Sequence, residues 1–203
     1  MTTPAPVVVS AAVEGSVDEA VACRLLSLLG ALSGSVHGKN GKPWLRQRIA
    51  AYNQAAHWSP WLVLVDLDQE AECAPPLRSA WLPRPAPHMC FRVAVRAVEA
   101  WLLADRESLA GFLRVSPSRV PPDPESLDEP KQAMVNLARQ SRSRAVQEDM
   151  VPRPGSGRSV GPAYASRLIE FAQSTWRPEI AATRSDSLRR CCERLRQVAA
   201  TRG

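Results

Sequence analysis

The chain has 203 residues, 45% of them hydrophobic, and its 26 Lys and Arg residues outnumber its 20 Asp and Glu residues to give a net charge of +6. This length and apolar content predict one domain, or one domain with an appendage, and the basic balance favours an anionic partner, of which nucleic acid is the commonest. No apolar run approaches the roughly 20 residues of a membrane span, which excludes a membrane protein, and five Cys residues without a Cys-x-x-Cys pair predict reduced thiols in the cytoplasm.

The first strand and helix are predicted to meet at an acidic turn. The β-branched run 6–13 predicts a strand, and the Leu-rich segment after it predicts a helix. Ser16 is expected to cap this helix, with Glu19 at the capping-box position. Glu14 lies where the strand turns into the helix. Asp18 follows one helical turn later, so both carboxylates can face the same space.

A glycine-rich, doubly basic segment follows at 34–42. Its spacing differs from a Walker A loop, and no Ser or Thr follows its last lysine. Lys39 and Lys42, with the loop amides, remain candidates for contacts with nucleic-acid phosphates. A weak strand is expected near Ser35, and 44–56 predicts a helix.

The most hydrophobic strand candidate ends in two carboxylates. The run 61–65 has no polar residue, which is typical of a strand buried on both faces of a parallel sheet. Asp66 and Asp68 follow it, and residues two apart on an extended segment share a face. Both could therefore reach one cation, although such acids are more often solvated loop residues or helix caps.

A second junction between a strand and a helix carries further charge. After a Pro-rich connector, 69–87, a strand at 90–95 is predicted to pass into one helix, 97–113. Arg96 and Glu99 lie at this junction and are a second-rank candidate site, the alternative being a surface ion pair.

The C-terminal part is predicted to be helical. A Pro-rich linker, 115–129, leads to a helix that starts at Pro130, and two more helices are expected at 164–176 and 188–199. The flexible segment 139–161 is either a solvated loop or an arm that contacts phosphates. Its candidate nucleic-acid-binding residues are Arg142, Arg144, Arg153 and Arg158.

Alternating strands and helices in the first half predict an α/β fold, with a mostly parallel, Rossmann-like sheet flanked by helices. We expect residues 1–113 to form this core and residues 114–203 to form a linker and a helical extension packed on it. The acids that follow the first and third strands then meet at one edge of the sheet. Oxygen ligands of this kind suit Mg²⁺ or Mn²⁺ rather than zinc.

Two motifs in this order resemble the Toprim domain of topoisomerases, bacterial primases, small ribosomal-RNA maturases and nucleases of the overcoming-lysogenization-defect type. The first is Val13-Glu14-Gly15-(x)2-Asp18-Glu19, and the second is Asp66-Leu67-Asp68 after a hydrophobic strand. The stretches 16–29 and 92–105 are also similar to small stand-alone Toprim-like proteins of unknown function. The resemblance covers about residues 7–113.

The resemblance implies a Rossmann-like sheet, Glu14 as general acid or base beside the metal, and Asp66 and Asp68 as Mg²⁺ ligands. Asp18 matches the acid that nuclease members use for a second metal. The late catalytic lysine of those nucleases has no unique counterpart, since Lys39, Lys42 and Lys131 are all candidates. The topoisomerase tyrosine has no counterpart, and the chain is too small to be a primase or a topoisomerase.

Three functions therefore remain open. The first is a metal-dependent nuclease acting on DNA or RNA, as the effector of a bacterial defence or toxin system with an ATPase partner; this setting rests on family analogy alone. The second is a non-catalytic interaction module. The third is a phosphohydrolase or phosphotransfer enzyme with a small phosphorylated substrate. An open basic groove at the acids would favour the nuclease, and buried, ion-paired acids would favour the interaction module. A closed pocket would favour the enzyme with a small phosphorylated substrate.

Overall fold

Four parallel strands form one sheet. The computed structural model describes residues 6–200, so the ends of the two predicted units, 1–5 and 201–203, lie outside the described residues. The sheet has the strand order β2-β1-β3-β4, and all three pairings are parallel. The carboxyl ends of the strands therefore meet at one edge, and the predicted α/β fold with a parallel sheet is confirmed. The strands are β1 (Val8–Val13), β2 (Leu32–Gly38), β3 (Trp61–Asp66) and β4 (Met89–Ala94).

Helices cover both faces of the sheet. No helix of the described chain is long and apolar enough to cross a membrane. The helices are α1 (Ser16–Leu28), α2 (Lys42–Ala55), α3 (Ala74–Trp81), α4 (Val98–Ala104), α5 (Arg106–Leu113), α6 (Pro130–Arg139), α7 (Arg144–Met150), α8 (Tyr164–Ser174), α9 (Pro178–Ala181) and α10 (Asp186–Ala200).

Strand β3 is buried on both faces. Leu62 and Leu64 belong to the apolar cluster on one side of the sheet, with α1, α4 and the C-terminal helices. Val63 and Val65 belong to the cluster on the other side, with α2 and α3. This alternation explains why the run contains no polar residue, since each side chain meets an apolar layer.

The start of α1 differs from the prediction. Gly15, not Ser16, is the N-cap, and no side chain caps the helix. The backbone N–H of Glu19 donates to the Gly15 carbonyl, so the predicted capping box is wrong. A Cβ atom at Gly15 would lie 3.1 Å from the Asp18 carboxylate, which therefore occupies the space that a side chain there would need.

Three other segments depart from their predicted form. The connector 69–87 contains α3, because prolines are accepted in the first turn of a helix, where their missing N–H has no helical partner. The segment 139–161 contains α7. The predicted helix 97–113 breaks into α4 and α5 at Asp105, whose buried carboxylate accepts hydrogen bonds from the backbone and guanidinium of Arg177.

The C-terminal helices pack on the α/β core. Helix α8 packs on α1 and helix α10 packs on β4. One continuous apolar cluster runs from Val9 in the first strand to Val198 in the last helix. The pair of Asp105 and Arg177 joins the α4–α5 break to the segment before α9.

We predict that Asp105→Ala lowers the free energy of unfolding by about 2 kcal/mol, because it leaves the Arg177 backbone N–H and guanidinium without their carboxylate. Urea denaturation measures this change. Glu148→Ala is the control, because Glu148 forms an exposed i,i+4 pair with Arg144 that contributes about 0.5 kcal/mol or less. Equal losses in the two variants would contradict the prediction.

Candidate functional site

The ends of β1 and β3 bring two acids into contact. Because β1 pairs with β3, Glu14 lies beside Asp66, and the Asp66 backbone N–H donates to Glu14 Oε1 at 2.8 Å. The Val98 backbone N–H, at the start of α4, donates to Asp66 Oδ1 at 2.9 Å. Asp66 therefore connects the first strand to the helix that follows the fourth strand.

Asp68 reaches the site by a different geometry from the one expected. Its φ is 51°, in the left-handed region, so the strand alternation ends at Leu67 and the argument that Asp66 and Asp68 share one extended face is wrong. The Asp68 carboxylate instead meets Lys42, whose Nζ lies 3.0 Å from Oδ2. Lys42 Nζ also lies 3.1 Å from Glu70 and donates to the Leu67 carbonyl at 3.3 Å.

Asp18 and Glu99 form the buried part of the site, with 6% and 3% of their surfaces exposed. The Tyr164 hydroxyl donates to Glu99 Oε1 at 3.3 Å, and Lys131 Nζ lies 3.8 Å from the same oxygen. Asp18 Oδ1 is buried and has no hydrogen-bond partner within residues 6–200. The sequence ranked Glu99 second, but the structure places it among the central acids.

Burial and the charges of neighbouring carboxylates raise the pKa values of Glu14, Asp18 and Asp66. Burial raises the pKa of Asp66 well above its usual value, and Asp18, Glu99, Glu14 and Asp68 each raise it further. Burial also raises the pKa of Glu14 to about 7. The pKa of Asp18 rises to about 6, chiefly through burial and then through the charge of Glu99. Asp66 is thus the centre of a group of carboxylates that disfavour one another's ionisation.

The donor set fits a hard divalent cation. The group consists of carboxylates without Cys or His, and Asp18 Oδ1 is an acceptor that no protein donor satisfies. Within the described chain, no three His, Cys, Asp or Glu side chains are already arranged as a metal cage. The acids that could hold a cation are Glu14, Asp18, Asp66, Asp68 and Glu99.

A cavity of about 290 Å³, which we call the cavity beside the acids, opens next to Asp68, while Glu14, Asp18, Asp66 and Glu99 do not line it. It lies between Asp68, the start of α4 and the start of α6, and Lys131, Gln132 and Ser159 are among its lining residues. Arg96 also lines it, but its guanidinium donates to the carbonyls of Asp68 and Ala71 at 3.0 Å each. No pair between Arg96 and Glu99 occurs in the described chain, so Arg96 holds the loop after β3.

The basic segment 34–42 is not a free loop. Its first part is strand β2, and Lys39, with a positive φ of 64°, pairs with Glu19 at 3.1 Å. Lys42 begins α2 and is buried against the acids. Lys42 therefore belongs to the acidic site rather than to an exposed phosphate loop.

The four candidate nucleic-acid-binding arginines of the segment 139–161 lie in two separate places in the structure. Arg142 and Arg144 follow α6, whose ten residues place them roughly 15 Å from the end that carries Lys131. Arg153 and Arg158 line a separate cavity of about 360 Å³, and Ser159, next in the chain, lines the cavity beside the acids. Only the second pair lies on a segment that reaches the site.

Sequence reasoning named Lys131 only as one of three candidates for a catalytic lysine, and it did not assign Tyr164 to the site. Both lie more than one hundred residues after Glu14, and nothing in their local sequence distinguishes them from helix surface residues. Only the packing of α6 and α8 brings them to Glu99.

Comparisons of the chain with protein-family models, with curated proteins and with solved structures found no match.

The pKa values of Glu14 and Asp18, about 7 and about 6, lie above the ordinary values of 4.5 and 3.8. Between the ordinary and the raised pKa of each acid, the folded state binds more protons than the unfolded state. The free energy of unfolding therefore falls as the pH rises from about 4 to about 7. We predict that Asp18→Asn flattens this part of the melting-temperature profile in EDTA. Glu19→Gln, which removes the neighbouring, partly exposed acid that pairs with Lys39, is the control and should keep the wild-type slope. An unchanged slope in Asp18→Asn would show that this repulsion is absent.

Proposed function

We propose that the chain is a Toprim-like nuclease that uses Mg²⁺ or Mn²⁺ to hydrolyse phosphodiester bonds in DNA or RNA. One observation carries the proposal: four carboxylates gather around that of Asp66 at the carboxyl edge of a parallel sheet, and one buried oxygen of this group, Asp18 Oδ1, has no donor in the described chain. Ligands of open α/β sheets bind at this edge.

The metal would be held by some or all of Glu14, Asp18, Asp66, Asp68 and Glu99. When bound, it supplies positive charge that stabilises a phosphate undergoing attack and the oxygen that leaves. Its charge would also offset the repulsion that helps to raise the pKa values of Glu14, Asp18 and Asp66.

The chain's own residues have separate tasks in this proposal. Glu14, with a pKa of about 7, can accept or return a proton near neutral pH, as a general acid or base does. Lys131 lies at the boundary between Glu99 and the cavity, where its ammonium group can bind a phosphate oxygen. Arg153 and Arg158 attract the nucleic-acid backbone from the adjoining segment.

The interaction-module alternative explains the acids less well. Asp68 and Glu99 do pair with Lys42 and Lys131, as the module hypothesis predicts. Asp18 and Asp66 form no ion pair in the described chain, and a binding module gains nothing from carboxylates whose charges raise one another's pKa values. The size of the cavity, about 290 Å³, does favour a second candidate, a phosphohydrolase acting on a small phosphorylated molecule.

The resemblance to Toprim nucleases extends the proposal to a cellular setting. Proteins of this kind are companions of ATPases, and no phosphate loop for ATP was found in the sequence of this chain. We therefore propose an ATPase partner and a role in bacterial defence or a toxin system. Activity should be assayed with the chain alone and with any ATPase encoded beside its gene.

We predict that Asp66→Asn lowers cleavage of DNA or RNA in Mg²⁺ or Mn²⁺ by at least about a hundredfold, because metal stabilisation is worth several kcal/mol and about 1.4 kcal/mol is tenfold. The Asn side chain keeps the oxygen that accepts from Val98, so the fold should survive. Glu72→Gln, an exposed change of the same charge, is the control.

The substrate panel contains single- and double-stranded DNA and RNA and the small substrate p-nitrophenyl phosphate. Metal-dependent turnover of the small substrate alone would favour the phosphohydrolase. Full cleavage by Asp66→Asn would rule out this site.

We also predict that replacing Arg153 and Arg158 together with Gln weakens nucleic-acid binding. The slope of log affinity against log salt should fall by about 0.7 to 0.9 for each phosphate that the protein no longer neutralises. Fluorescence anisotropy at several salt concentrations measures this slope. Arg142 and Arg144, changed in the same way, are the matched pair at the far end of α6 and should have a smaller effect. Equal effects from both pairs would show that the nucleic acid binds along the whole segment 139–161.

A further inference from the structure

A second cavity, of about 240 Å³, lies between α3, β4 and the start of α10. Arg78 from α3, Arg92 from β4 and Arg190 from α10 are among its lining residues, and we call it the arginine cavity. It shares no lining residue with the cavity beside the acids. None of its arginines was predicted to have a function.

Two of these arginines lack the partners that arginines normally have. The Nε atoms of Arg78 and Arg92 are buried and have no hydrogen-bond partner within residues 6–200. Neither side chain forms an ion pair with a carboxylate in that range. A buried donor without an acceptor destabilises a protein, and a charged one does so more strongly.

The acids that line the cavity are already used by other groups. Glu125 accepts hydrogen bonds from the Ser185 hydroxyl and from the backbone N–H groups of Asp186 and Ser187. Asp186 pairs with Arg190 at 2.6 Å and also with Arg189. These carboxylates cap the start of α10 and hold its first turn, so they leave Arg78 and Arg92 without a counter-charge.

Positive charge is concentrated around the cavity. Burial lowers the pKa of Arg78, and the nearby charges of Arg92 and Arg194 lower it further. Burial raises the pKa of the Cys90 thiol, but hydrogen bonding to Cys191 and the charges of Arg92 and Arg194 outweigh burial and lower this pKa. Neighbouring guanidinium groups with N–H donors that have no protein acceptor are typical of a site that binds an anion.

We propose that the arginine cavity binds a phosphate-type oxyanion, bridged by the guanidinium groups of Arg78 and Arg92. A tetrahedral anion supplies acceptors for several planar N–H donors at once and neutralises both charges. The volume of about 240 Å³ fits inorganic phosphate or the terminal phosphate of a longer molecule, but it is below the usual size of a pocket for a whole drug-sized ligand. This inference does not depend on the proposed nuclease.

Calorimetric titration of the purified full chain with inorganic phosphate, at constant ionic strength and with chloride as the reference, tests the proposal. We expect saturable binding that weakens by at least about tenfold in Arg78→Gln and in Arg92→Gln, since each removes one charged hydrogen-bonding partner. Arg84→Gln carries the same charge change at an exposed position and should bind as the wild type does.

Arg78→Lys provides a second, gentler variant, because it keeps the charge and loses the planar fork. It should bind phosphate more weakly than the wild type and more tightly than Arg78→Gln. Circular dichroism verifies that each variant is folded. Absence of saturable binding, or binding that survives both Gln variants, overturns the proposal.

Competition distinguishes the sources of the phosphate. A trinucleotide with a 5′-phosphate should displace inorganic phosphate if the site receives a nucleic-acid end, and the same trinucleotide without the phosphate should not. If neither displaces it, the site takes a free or small-molecule phosphate. Displacement by the unphosphorylated trinucleotide would show that a terminal phosphate is not what the site recognises and would overturn the proposal.

Discussion

The burial of Asp66 is the constraint on which the rest of the site depends. Strand β3 is covered by apolar layers on both faces, and the carboxylate at its end is half-buried beside them, which raises its pKa. Glu14 and Val98 hold it through backbone hydrogen bonds, and this fixes the ends of β1 and β3 against the start of α4. The acids can then repel one another but cannot move apart, because each belongs to a different packed element.

The residues of the first half could be placed from the sequence, because parallel strands bring their carboxyl ends together. Glu14, Asp18 and Asp66 needed only the alternation of strands and helices and the position of each acid at a strand end. Lys131 and Tyr164 could not be placed in this way. They reach Glu99 through the packing of α6 and α8, which depends on long-range contacts of a helical half with no local motif.

Two errors of the sequence analysis share a physical cause. The helix 97–113 has a continuous apolar face, but it breaks because the buried carboxylate of Asp105 binds Arg177 from a distant segment. Asp68 departs from strand geometry, with its backbone in the left-handed region, and in this conformation its side chain pairs with Lys42. In both cases a tertiary contact of a charged group outweighs the local preference for helix or strand. Such a contact leaves no mark in the hydrophobic periodicity of the sequence.

The two candidate sites have opposite charge and the same energetic character. Around Asp66 carboxylates are crowded, and around Arg78 and Arg92 guanidinium groups are crowded, each with buried atoms that have no protein partner in the described chain. Such crowding lowers the stability of the folded state, and the large apolar clusters on either side of the sheet offset it. Any ligand that binds only the folded state adds stability in proportion to the logarithm of its concentration. A cation at the acidic site and an oxyanion at the arginine cavity would each reduce a repulsion between like charges. Without these ligands, only the stability of the apolar core offsets that repulsion.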